Sequence, residues 1–259
     1  MKYKNLLIEI SGATAVVTFN RPAVLNAMNT ETVTELGVAI TELEQDQTVR
    51  AVVLTGAGRS FIAGADISEM RSKTPAEARE YSELGHRVMQ QIQSLQKPVI
   101  ASVNGFALGG GTEVVLSCDF SIASDQAKFG LPETVLGVIP GWGATQRAAR
   151  LIGTAKTKEL IVTGEIIDAR RALEIGLINR VVPHEQLIDV TMGLAQKIAD
   201  QGPLALAMAK KVINEGIEKN LADACRLETE AFSSLFTTKD QQEGMKAFLE
   251  KRIPKFTGT

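Results

Sequence analysis

Two uninterrupted apolar runs of strand length, residues 51–55 (AVVLT) and 99–103 (VIASV), limit what this chain can become. Neither alternates polar with apolar side chains, so a strand built from either has to be covered on both faces, as strands inside parallel sheets are. Each run leads into glycine and then into a helical pattern. After the first, Gly56-Ala57-Gly58 ends the strand, and residues 74–96 set Ala78, Tyr81, Leu84, Val88, Ile92 and Leu95 on one helical face before Lys97-Pro98 stops the helix. After the second come Gly109, Gly110 and Gly111, a short apolar helix over 111–118 and a third strand over 120–123. This recurrence of strand, glycine turn and helix implies stacked units in one α/β body.

The flanks fit that body. Residues 6–10 and 15–19 read as a hairpin about Ser11-Gly12, and residues 29–45 as a helix with Val33, Leu36, Ile40 and Leu43 facing the sheet. Residues 60–70, SFIAGADISEM, turn through another glycine. From Gly143 onward the pattern is helical, over 145–151, 156–163, 169–176, 185–199, 203–216 and 220–236, with strand signals confined to 177–182. A soft boundary near residue 200 separates a core, 1–200, from a C-terminal helical part, 201–259. The apolar stripe of that part, Leu221, Ala224, Leu227 and Ala231, packs either on another subunit or on the chain's own core.

Composition narrows the function classes. At 259 residues with 44% apolar content there is ample material for a real core. A formal charge of −2, from 28 basic and 30 acidic residues, gives no general attraction to nucleic acid or an anionic membrane. The two cysteines, Cys118 and Cys225, build neither a disulfide framework nor a four-cysteine metal site within one chain, and read as reduced, buried thiols. The opening MKYKNLLIEISG lacks a signal-peptide apolar region with a small-residue cleavage site, and no run approaches a membrane span. The expected compartment is the cytoplasm.

The chemistry concentrates between Ser102 and Gly143. Glu113 follows the glycine triplet and Glu133 follows Pro132 in GLPE. Glycines let a backbone approach a ligand closely, and a glycine-rich loop opening a helix presents free N–H groups to an anion. Taken singly, Glu113 is a solvated helix-entry residue and Glu133 a loop charge; taken together they form a carboxylate pair suited to proton transfer. His86 on a helix and His184 after Pro183 have no nucleophile or ligand partner in sequence, so both read as structural or surface residues. There is no Cys/His ligand cluster and no dinucleotide fingerprint.

Four segments in order, NRPAVLNAMN from Asn20, SFIAGADISEM from Ser60, KPVIASVNGFALGGGTE from Lys97 and FGLPETVLGVIPGWGATQR from Phe129, resemble the enoyl-CoA hydratase (crotonase) family, most of all its short-chain bacterial members. The likeness runs from about residue 6 to Arg252. It implies a spiral of ββα units with a C-terminal helical region that makes homotrimers, usually paired into hexamers, and an activity that reversibly adds water to trans-2-enoyl-CoA.

By that resemblance, the backbone N–H groups of Ala65 and Gly110 hold the thioester oxygen, Glu113 activates the water that attacks C3, and Glu133 delivers a proton to C2. Two preorganised donors stabilise the enolate charge that forms on the oxygen, and a carboxylate pair supplies base and acid. No metal, flavin or nicotinamide is required; coenzyme A belongs to the substrate. Ala63, Asp66, Ile67 and Gly109 become candidates for substrate contact, as does Val24 in the RPAVLNA loop, while Gly141 matches a position whose backbone helps place the water. Asp66 alternatively caps the helix after AGAD. Trp142 departs from many relatives, which have a small residue there; it either narrows the acyl pocket or anchors packing against the helix at Thr145. Lys239, Lys246 and Lys251 either reach coenzyme A phosphates on a neighbouring subunit or form a solvated helix face. The competing activities are a Δ3,Δ2-enoyl-CoA isomerase, which usually needs one carboxylate, and an RNA-binding relative, which the acidic balance disfavours.

Overall fold

The computed structural model describes residues 3–259. Strands β1 (Leu6–Ser11) and β2 (Thr14–Phe19) form the expected antiparallel hairpin. Helix α1 (Thr30–Gln45) follows, with the Asn29 side chain accepting from the Thr32 N–H as its N-cap. Then come β3 (Ala51–Gly56), β4 (Ser60–Ile62), the short α2 (Ile67–Met70) and the long α3 (Pro75–Ser94). Helix α3 is entered through a reciprocal capping box between Thr74 and Glu77.

The next round repeats the plan with β5 (Val99–Val103), β6 (Phe106–Leu108) and α4 (Gly110–Ser117). A third has β7 (Phe120–Ser124), β8 (Lys128–Gly130), a 3-10 turn over Pro132–Leu136, α5 (Ala144–Ile152) and α6 (Thr154–Thr163). The chain continues through β9 (Ile166–Asp168), α7 (Ala169–Glu174), β10 (Arg180–Val182) and α8 (Leu187–Ala199). It finishes in α9 (Pro203–Gly216), α10 (Leu221–Leu235) and α11 (Lys239–Leu249).

Strand pairing gives the architecture. One sheet runs β1-β2-β3-β5-β7-β10 and a second runs β4-β6-β8-β9. In each round the first strand joins the large sheet, the second joins the small one, and a helix returns the chain: a spiral of ββα units. Beyond the hairpin, neighbours in the large sheet are parallel; in the small sheet β4, β6 and β8 are parallel and β9 closes antiparallel on β8.

Period-2 alternation explains the two apolar runs. Val52 and Leu54, with Val99, Ala101 and Val103, face the main core between sheets and helices, whereas Ala51, Val53 and Ile100 face Leu187 and Ala195 of α8 on the opposite side. Each strand is apolar throughout because each face meets a different layer. On α3, Tyr81, Val88, Ile92 and Leu95 are buried as expected, but Ala78 is exposed; the inward face instead carries Gly85 and Met89.

Three further expectations need correcting. Strand structure after Gly143 is not confined to 177–182: Ile166–Asp168 pairs with β8, and within 177–182 the strand itself is Arg180–Val182. The short second strands do not show as strands in the sequence, since three residues are too few to display a period. Neither cysteine is fully buried: Cys118 is half-buried against the core, where loss of water pushes its thiol up, and Cys225 is exposed on α10.

The C-terminal helices are tied back to the core by polar bonds. Lys210 reaches the Asp119 carboxylate at 2.7 Å, Asn214 donates to the Gln93 carbonyl at 3.1 Å, and Arg50 donates to the Phe256 carbonyl at 2.7 Å. Along the α10 stripe Leu221 is exposed, Ala224 and Leu227 are half-buried and Ala231 is buried.

Candidate active site

Three turns leave the carboxyl ends of β4, β6 and β8, and each carries one of the motifs read from the sequence: AGAD after β4, GGGTE after β6 and LPE after β8. Because these strands are parallel neighbours, the three turns emerge side by side at one edge.

On the first turn, Ala65 pairs with Met28 in an isolated parallel bridge. Met28 donates to the Gly64 carbonyl at 2.9 Å and accepts from the Asp66 N–H at 2.9 Å, so the intervening Ala65 N–H points the other way. On the second turn, Gly110 opens α4, where the first N–H groups have no intrahelical acceptor. The turn before it demands glycine: Gly109 has φ +50° and ψ −118°, and a Cβ there would sit 2.9 Å from Glu133 Oε1. Gly110 is held from below, since a Cβ on it would lie 2.5 Å from the Trp142 ring.

Glu113 points inward from the first turn of α4 and is 2% exposed. Its Oε1 accepts the Trp142 N–H at 2.8 Å and the Ala144 N–H at 3.0 Å, and the Gly143 N–H and the Arg147 guanidinium also favour its charge. Burial nevertheless outweighs them and raises its pKa above the ordinary carboxylate range. Glu133, on the 3-10 turn, has its carboxyl against Gly109. Burial and then the neighbouring Glu113 charge push it up to about 7. Its Oε2 is buried and accepts nothing among the described residues. Two carboxyls that feel each other titrate as a pair. The N–H groups around Glu113 favour its charged form, whereas the buried oxygen of Glu133 has no such donor.

The remaining candidates divide. Asp66 occupies the N-cap position of α2, but its carboxylate takes the Ser68 hydroxyl and an Arg21 ion pair at 3.1 Å instead of a helix N–H. That pair, with the Ala63 N–H on the Leu25 carbonyl at 3.0 Å, ties the AGADI turn to the RPAV loop. Val24 and Ile67 stand exposed on these two turns. Trp142 is buried, wedged between Gly85 of α3 and Gly110, with its ring 5.3 Å from that of Tyr81. Its ring packs on α3 and α4, and the helix at Thr145 reaches it through Arg147, which donates to its carbonyl at 3.0 Å. Gly141 presents its carbonyl to the Ser82 hydroxyl at 2.6 Å. His184 Nδ1 lies 3.0 Å from the Ser124 hydroxyl, far along the chain from these turns, and Lys239, Lys246 and Lys251 are exposed. Ser82 and Arg147, which hold the turn around Glu113, were not signalled by the sequence: both are polar residues on helices whose faces point either way, and only the fold shows what they meet.

Comparison with known proteins agrees with this geometry. A family model described as Enoyl-CoA hydratase/isomerase matches residues 9–259. The chain is 48% identical over 253 residues, 97% of each chain, to a short-chain-enoyl-CoA hydratase of Clostridium acetobutylicum. It is 45% identical over 257 residues, 99% of each, to a crotonyl-CoA hydratase of Syntrophomonas wolfei. The crystal structure of an enoyl-CoA hydratase from Bacillus anthracis superposes with a TM-score of 0.96 at 40% identity, covering 99% of this chain and 100% of that one. With a family match along nearly its full length, two glutamates at one sheet edge and the ββα spiral, this chain belongs to the enoyl-CoA hydratase/isomerase family.

Proposed function

We propose that the chain is an enoyl-CoA hydratase, a hydro-lyase that reversibly adds water syn across the double bond of a short trans-2-enoyl-CoA to give the 3-hydroxyacyl-CoA. The observation that carries this is the carboxyl pair at one sheet edge, Glu113 buried and fed by backbone N–H groups, and Glu133 lying against Gly109 with one buried oxygen that meets no partner among the described residues. The Ala65 and Gly110 N–H groups hold the thioester oxygen. Glu113 takes a proton from water as its oxygen bonds to C3. The electron pair of the double bond moves onto the thioester as an enolate, which Glu133 protonates at C2. The proton on Glu113 returns to Glu133 through the next water, so the pair ends as it began. Val24, Ala63, Asp66, Ile67, Gly109, Gly141 and Trp142 line the substrate's path in this reading, and the chemistry requires no cofactor.

The family's assembly extends the proposal. Phe232, Phe236, Phe248, Leu249 and Ile253 are exposed on or beside the last two helices, and exposed apolar side chains in such number support a homotrimer, or a hexamer of paired trimers, made by residues 201–259. None of the described helices is long and apolar enough to cross a membrane, and we assign the enzyme to the cytoplasm.

The test is the loss of enoyl-thioester ultraviolet absorbance with crotonyl-CoA. Rapid loss that collapses in both Glu113→Gln and Glu133→Gln supports the proposal. A wild type inactive on crotonyl-CoA and on longer enoyl-CoAs overturns it and favours double-bond isomerisation, assayed on 3-enoyl-CoA.

A further inference from the structure

The turn 141–144 has an order that the hydration scheme alone does not explain. Consecutive peptide units there direct their N–H groups to one carboxylate, and every carbonyl on the far side is held. The unit joining Gly141 and Trp142 gives its N–H to Glu113 Oε1 at 2.8 Å, while its carbonyl accepts the Ser82 hydroxyl of α3 at 2.6 Å. The unit joining Trp142 and Gly143 turns its N–H toward Glu113, and its carbonyl accepts from Arg147 Nη1 at 3.0 Å. The unit joining Gly143 and Ala144 donates to Oε1 at 3.0 Å, and its carbonyl is taken by the backbone N–H groups of Gln146 and Arg147 at 3.0 and 2.8 Å. A peptide is planar, so fixing its carbonyl fixes the direction of the N–H on the other side.

We infer that Ser82 and Arg147 are positioning residues: by clamping the carbonyls of two successive peptide units they aim the N–H groups that hold Glu113, and so set the orientation and charge of the base. This rests on the reading of Glu113 as the base. Arg147 is itself fixed by its Nε–H on Gln93 Oε1 at 3.0 Å, so α3 secures the turn at two places, through Ser82 and through Gln93. Arg147 also lines a cleft of about 1250 Å³ between α3, α5 and the C-terminal helices, so shortening its side chain opens onto solvent and leaves no sealed void. The ionisable groups facing Glu113 are Arg147 from α5, Glu133 from the 3-10 turn and Tyr81 from α3, with His86 of α3 beside Gly143.

The experiment compares wild type, Ser82→Ala, Ser82→Thr, Arg147→Gln and the Ala/Gln double variant by two readouts. The first is kcat and KM for crotonyl-CoA across pH. Arg147→Gln is expected to lower kcat by about 10²-fold and Ser82→Ala by about 10-fold, with KM within about twofold. Ser82→Thr restores the rate, and the double variant loses less than the product of the singles because both act on one turn. The acid limb of the kcat profile moves to higher pH. In Ser82→Ala the loosened N–H donors favour the carboxylate less; in Arg147→Gln the guanidinium charge itself is lost as well. Ser82→Ala, which removes no charge, therefore isolates the clamp. The second readout needs no activity: carbon-13 NMR titration of glutamate-labelled free protein, the Glu113 resonance being the one lost in Glu113→Gln. Its midpoint is expected to rise in Ser82→Ala and Arg147→Gln and to return in Ser82→Thr. A Ser82→Ala variant with an unmoved Glu113 titration and unchanged kcat overturns the inference, as does an Arg147→Gln variant that is slower while the titration stays in place. If Arg147→Gln fails to fold, the Ser82 pair decides alone. If wild type proves inactive on crotonyl-CoA, the hydratase reading fails while the titration still judges the clamp.

Discussion

The two glutamates sit at one sheet edge in opposite kinds of surroundings. Glu113 belongs to a helix and is enclosed by a turn whose peptide groups all face it. Glu133 belongs to a 3-10 turn that ends in exposed Val135 and Leu136 and is followed by exposed Val138 and Ile139, and its buried oxygen meets no donor among the described residues. Both lose water, and loss of water raises both pKa values. What distinguishes them is replacement: one carboxyl receives a substitute hydration shell of N–H groups and the other does not. Burial thus supplies a pair able to retain a proton near neutrality, and hydrogen bonding favours the charged form of Glu113 but not that of Glu133.

Removing the better-solvated member breaks this asymmetry most severely. Glu113→Gln is expected to cut kcat on crotonyl-CoA by on the order of 10³ to 10⁴, because an amide oxygen can still accept the Trp142 and Ala144 N–H groups but cannot take the water's proton. Glu133→Gln is expected to cost about 10² to 10³. It also has a signature in pH: wild-type kcat/KM falls as pH rises through about 7, where Glu133 loses its proton, and the residual activity of the variant lacks that limb.

The same substitution sharpens the comparison through stability. The folded pKa of Glu133 lies above its ordinary 4.5, so the folded state binds the proton more tightly and wild type loses stability as pH rises from about 4.5 to about 7. Thermal melts of Glu133→Gln are therefore expected to exceed wild type at pH 8 and to match it at pH 4; equal midpoints at both would refute the burial argument. Gly110→Ala acts on neither carboxyl directly. Its Cβ would come within 2.5 Å of Trp142, which shares a peptide with the Glu113 donors, and about 1 to 3 kcal/mol of stability is expected to go with roughly tenfold in kcat, read by melts and initial rates. At the small end, Val135→Ala on the outer side of the Glu133 turn is expected to move stability by under about 0.5 kcal/mol, since the side chain is 73% exposed.

How legible this was depended on length scale. The large-sheet strands and the helices of the spiral could be read because each buries a long periodic face: β3 and β5 as continuous apolar runs, α1 through Val33, Leu36, Ile40 and Leu43. The small sheet could not. SFI, FAL and KFG are too short to show a period, and their pairing is set by strands more than forty residues away in sequence in the case of β4 and β6. Its position was legible only indirectly, through the glycines and glutamates that follow each strand. At the site, Glu113 and Glu133 were nameable by chemistry and likeness. Ser82 and Arg147 were not, since a serine at the end of a hydrogen bond to a carbonyl looks in sequence like any serine on a helix.

The parallel pairing of β4 with β6 does one thing more. Neighbouring strands lie about 4.8 Å apart. Two donors that each come within about 2.9 Å of one carbonyl oxygen, along its two lone-pair directions, must stand about 5 Å from one another. These lengths coincide. Ala65 and Gly110 stand three and two residues beyond the ends of these strands, so the pairing brings the turns that carry them out at one edge, and a rearrangement that put another strand between β4 and β6 would part those two turns.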